Sequence, residues 1–153
     1  MKRFRYALEP VLLTRRWDLD GLMLELGEQN AALAAHQAVI AAADARFAAA
    51  SGEWRALTAG GAAHAADRFA MLTRYLGELS RQGRENAVRL TELQAARDDV
   101  AARVMAAQRA VEAAEQHRAD CKALFMQERA SADFKLADDQ WNMLQTGAIA
   151  HDN

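Results

Sequence analysis

Apolar residues return every seventh position through the first third of the chain, at Leu12, Leu19, Leu26, Leu33, Ile40, Phe47 and Trp54. A companion line three residues on runs through Leu22, Ala43, Ala50 and Leu57, interrupted by Arg15, Gln29 and His36. A strict seven-residue repeat keeps one face of a helix against a partner and supercoils it left-handed. A second ladder keeps the same three-and-four spacing: Phe69, Leu72, Leu76, Leu79, Leu90, Leu93, Val100, Val104, Val111, Cys121 and Phe125. Between the two lies Gly60-Gly61, and paired glycines between periodic runs mark a turn. The pattern predicts an all-α protein, an antiparallel two-helix coiled-coil hairpin with unequal arms in which helix 2 is the longer.

The chain reads as one domain over residues 1–153. Pro10, the only proline, suits a first helical turn, whose N–H groups lack partners anyway. Helix 1 is therefore expected over 9–57, the turn over 58–64, helix 2 over 65–146 and a frayed tail over 147–153. Gly21, Gly27 and Gly52 are read as tolerated inside helix 1, because the ladder runs through all three. With the turn at Gly60-Gly61, Trp54 meets Phe69, Phe47 meets Leu72 to Leu76, Leu19 meets Val100 and Val104, and His36 falls opposite Asn86. Such a polar layer costs stability but penalises slipped registers. Residues 1–7, basic and aromatic, are expected to be extended or weakly ordered. Helix 2 beyond about residue 115 is left without an intrachain partner, yet it carries Leu124, Phe125, Phe134, Leu136, Trp141 and Leu144. An exposed helix with that many large apolar residues calls for a binding partner.

Composition agrees with a narrow seam. Hydrophobic residues make up 52% of the chain but aromatics only 7%, and alanine supplies much of the rest. That mixture favours helix without the volume for a wide core. Lysine and arginine number 19 against 21 acidic residues, and they alternate in sign along the helices. A nucleic-acid binder would carry a basic excess or stripe, so that class is excluded. Cys121, the single cysteine, is expected as a small buried seam residue in a reducing compartment. The opening residues lack the apolar core of a signal peptide and no stretch is long enough to span a membrane, so the default expectation is the cytoplasm.

Candidate chemistry is sparse. The histidines His36, His64, His117 and His151 are scattered and none pairs with another at helical spacing, so no metal is expected. Asp98-Asp99 and Asp138-Asp139 are adjacent, and adjacent helical residues do not face one another. Gly60-Gly61 lacks the lysine and hydroxyl of a phosphate loop. Cys121 has only His117, one turn back, as a neighbouring base. With no water-excluding pocket in a two-helix hairpin, the sequence predicts no enzyme and no cofactor. The aromatics that the seam does not need, Trp17, Tyr75, Phe134 and Trp141, are the informative ones. Trp17 reads equally as a flank residue covering the seam, whereas exposed Phe134 and Trp141 read as interface residues.

The opening Phe4, Tyr6, Leu8, Pro10, Leu12, Leu13 and Arg15 resembles the start of FliJ family members, an aromatic-x-aromatic-x-Leu-x-Pro run followed by two leucines and an arginine. Asp67 to Leu79 is similar to the family's aromatic-led segment after the turn, and Gln127 to Trp141 to its C-terminal run. The alanine-rich middle departs from the family's glutamine- and lysine-rich one. FliJ-like and YscO-like proteins are cytoplasmic parts of flagellar and injectisome type III export machines, docked peripherally at the export apparatus on the inner membrane. The resemblance implies a non-catalytic stalk whose open end enters a hexameric export ATPase and promotes its activity. It also implies that the turn end reaches the cytoplasmic domain of the export gate protein, and some members bind export chaperones. By resemblance the gate-contacting residues are Phe47, Trp54, Phe69, Tyr75 and Leu79. The ATPase-facing residues are Leu12, Arg15, Arg16, Arg129, Lys135, Leu136 and Trp141. Two other readings remain: a coiled-coil adaptor or chaperone that self-associates or holds clients, and a membrane-surface helix. The last is weakest, because neither the basic start nor the overhang joins a wide apolar face to a lysine-rich one.

Overall fold

A computed structural model describes residues 3–60 and 66–149, with side chains up to Met143. Two helices, α1 (Glu9–Gly60) and α2 (Ala66–Ile149), account for the secondary structure among these residues and pack against each other. The protein is an all-α helical hairpin whose second helix is the longer. No helix among the described residues is long and apolar enough to cross a membrane.

Helix α1 continues three residues past the expected Leu57. Thr58 Oγ1 lies within donating distance of the carbonyls of Arg55 (2.8 Å) and Trp54 (3.2 Å), which ties the last turns together. The expected turn residues from Gly61 onward lie outside the described residues. At the far end Gly147 to Ile149 continue α2, where a frayed tail was expected, and 150–153 lie outside the described residues.

The chain divides into two compact units, Asp20–Ala106 and the pair Met1–Leu19 with Ala107–Asn153. Within the first, Glu25 pairs with Arg103, His36 with Asn86 and Glu53 with Arg68, so α1 numbers rise as α2 numbers fall. That is antiparallel pairing. Its core is Ala50, Leu72 and Leu79, with Trp54, Leu57 and Leu76 packed against it. The indole of Trp54 lies 5.4 Å from the Phe69 ring and donates through Nε1 to Thr73 Oγ1 at 3.3 Å. His36 is half-buried in its layer, and its Nε2–H donates to the Asn86 backbone carbonyl at 2.9 Å rather than to the side chain. Phe47 holds a ladder position but is 43% exposed, the one exposed member of the α1 ladder.

The second unit corrects two expectations. Residues 3–6 form a non-helical arm laid along α2, followed by a turn at Ala7 and Leu8 that leads into α1; along the arm Phe4 and Tyr6 are half-buried while Arg3 and Arg5 are exposed. Phe4 packs on Phe125 with ring centroids 5.7 Å apart. Tyr6 shares a 2.8 Å hydrogen bond with His117 Nδ1 and donates a longer one, 3.4 Å, to the Ala114 carbonyl. Helix α2 therefore has an intrachain partner out to Phe125, about ten residues beyond the expected limit. Leu12 is fully buried, and Arg15, Arg16 and Glu9 tie the start of α1 to Ala110, Glu115 and Arg118. Cys121 is half-buried rather than buried, its Sγ 3.8 Å from both His117 ring nitrogens.

Candidate protein-docking surface

Seven-residue counting along α2 from Leu76 lands in turn on Gly83, Leu90, Arg97, Val104, Val111, Arg118 and Phe125. The alternate line lands on Leu72, Leu79, Asn86, Leu93, Val100, Ala107, Ala114 and Cys121. All of these except Gly83 are buried or half-buried. The apolar ladder passed over Arg97 and Arg118, yet both sit in the seam; their presence was visible in the spacing and hidden by residue type. Arg118 is half-buried and its Nε lies 3.2 Å from Glu9. Arg97 has a buried Nε that lies 3.1 Å from Asp98 Oδ1 without a hydrogen bond.

The residues assigned to gate contact by resemblance all lie in the Asp20–Ala106 unit, and the structure sorts them. Leu79 is 5% exposed and belongs to the core. Trp54 and Phe69 are brought together as a tilted aromatic pair. Phe47 and Tyr75 are exposed. A partner meeting this surface would touch aromatic edges, not the seam leucine.

The residues assigned to the ATPase lie in the other unit. Leu12 is buried, Arg15 donates to the Ala110 carbonyl at 2.9 Å, and Arg16 is 2.5 Å from Glu115. Arg129 is half-buried, while Lys135, Leu136 and Trp141 are exposed. Helical geometry separates the last group. Arg129 and Leu136 lie within about 40° of Phe125 around the α2 axis, continuing the seam face, whereas Trp141 lies about 140° from Leu136. The open end thus presents two faces. Shallow grooves flank it, one lined by Arg3, Phe4, Cys121 and Phe125, another by Leu124, Glu128, Ser131 and Lys135.

Charge on these surfaces is ordinary. In the Asp20–Ala106 unit, hydrogen bonds from Arg81 and then Gln82 hold the Glu78 carboxyl down at about 2, and the same pairing raises Arg81. Among the described residues no group of three or more His, Cys, Asp or Glu could hold a metal ion. What the arrangement offers is apolar and aromatic area on helix faces, which suits protein contact. No protein-family model, curated protein or solved structure matches the chain.

Proposed function

We propose that this chain is a non-catalytic stalk of a type III protein export machine. Its open end docks in the hexameric export ATPase and promotes hydrolysis there, and its turn end engages the cytoplasmic domain of the export gate. The chain then works at the inner-membrane export apparatus without entering the bilayer, and export chaperones are further partners. One observation carries the reading: α2 runs on past Phe125, on which Phe4 of the arm packs, with Leu136 and Trp141 exposed. A helix that leaves such side chains in water gains by inserting into an apolar socket. The FliJ-like opening supplies the identity of the socket.

The test is reconstitution with the export ATPase of the same host. The paired substitution Leu136→Ala and Trp141→Ala is expected to abolish stimulation of ATP hydrolysis while circular dichroism reports unchanged helix content. Undiminished stimulation would sink the proposal.

A further inference from the structure

Past Phe125 the seam of α2 gives out. The seven-residue frame continues onto Glu128, Ala132, Lys135 and Asp139, and all four are exposed. Another apolar stripe takes over on a different face: Met126, Ala130, Phe134, Ala137 and Trp141, spaced by four, four, three and four residues. That spacing keeps them within about 80° of arc, centred about 140° from Phe125. Every one is exposed, Phe134 at 75% and Trp141 at 64%. Large and small residues alternate along it.

We infer that this stripe is the interface of an antiparallel homodimer, each copy covering the stripe of the other. Size and charge both select that occupant. With Phe134 set opposite Ala137 of the second copy, Trp141 comes opposite Ala130 of the second copy, and the twofold repeats both contacts. Each large ring then enters the gap above an alanine, as knobs enter holes. The flanking charges choose the direction. A parallel pair in register places Asp133 of each copy beside Asp138 of the other, because flanks five residues apart meet in that arrangement. The antiparallel pair places Asp133 beside Gln140 and Asp138 beside Ser131, so each carboxylate faces a hydrogen-bond donor instead of another carboxylate. A twofold contact of this kind is self-complementary and closed, so assembly stops at two. Five residues a side make a small interface, and small interfaces give weak, concentration-dependent pairing. The dimer does not depend on the export reading. Since both use Trp141, pairing and ATPase docking exclude one another.

Sedimentation velocity on the purified full-length chain tests this without any other protein. The expected result is a rise from one chain to two across the micromolar range, with Ala130→Glu plus Ala137→Glu holding the chain as a monomer throughout at unchanged helix content. Direction is read by oxidation on a Cys121→Ser background. Ser131→Cys with Asp138→Cys is expected to form a covalent dimer, and Asp133→Cys with Asp138→Cys to stay single. A monomer at every concentration overturns the inference. So does a dimer indifferent to the two glutamates, or the reverse pattern of cross-linking.

Discussion

Helix α2 is one continuous helix with two different halves. Between Leu72 and Phe125 its large apolar side chains follow a seven-residue frame and are mostly buried or half-buried. Between Met126 and Trp141 they are as large, and all are exposed. Leu136 stays on the seam face and is exposed there, so the partner has given out. The other large residues, Met126, Phe134 and Trp141, change phase: their stripe is rotated by about 140° from Phe125 while the helix continues. Two consequences follow: helix continuity is no guide to where packing stops, and a stripe that leaves its own seam has been released to face something else.

The largest effect should come from exchanging one large side chain for alanine in each half. Leu79→Ala removes a residue from the core it shares with Ala50 and Leu72, and it is expected to cost about 2–5 kcal/mol in urea unfolding. Phe134→Ala at dilution, where the chain is single, is expected to change stability by less than about 0.5 kcal/mol, because an exposed ring loses little contact. Equal costs at the two sites would erase the distinction between the halves.

A gain is expected at Gly83. It occupies a seam position, between Leu76 and Leu90, where a Cβ would meet nothing within 4 Å. Gly83→Ala should therefore raise stability by about 1 kcal/mol from helix propensity alone. A loss, seen as a lower denaturant midpoint, would mean that the gap beside the His36–Asn86 layer is needed open.

The smallest effect concerns Glu78. Its carboxyl is held at about 2 against an ordinary 4.5, so the folded form is favoured while pH stays above the unfolded value. That contribution is lost as pH falls through about 2. Glu78→Gln should be slightly less stable than the parent at pH 7 and indistinguishable from it below about pH 2, as read by thermal melts at low salt. A difference that persists in strong acid would remove the ion pair with Arg81 as its cause.

Much of this fold was legible in the sequence because a coiled coil writes its packing into spacing. The ladders located both helices, placed Trp54 against Phe69 and set His36 opposite Asn86. Three features escaped for separate physical reasons. Arg97 and Arg118 are half-buried at seam positions, which a search for apolar residue types does not count. Phe47 keeps the period but not the burial, since periodicity states which face a residue is on, not how completely that face is covered. The non-helical opening was expected, but its docking on α2 escaped because Phe4 and Tyr6 alternate with period two, a strand-like signal with no strand to pair with. Its partner was a helix more than a hundred residues away, and local patterns carry no trace of such a distance. At the open end the apolar residues were visible from the start, and their division into two faces followed only once a continuous helix fixed their angles.

That arm also implies an order of events during synthesis and opening. Trp54 meets Thr73 across 19 positions of sequence, His36 meets Asn86 across 50, and Tyr6 meets His117 across 111. A ribosome would have delivered the first of these pairings long before the last one became available. Contacts closing ever longer loops form later, and those at the margin open first. The arm is thus among the last segments to find its place, and amide exchange near Tyr6 should report the shortest-lived protection among these three pairings.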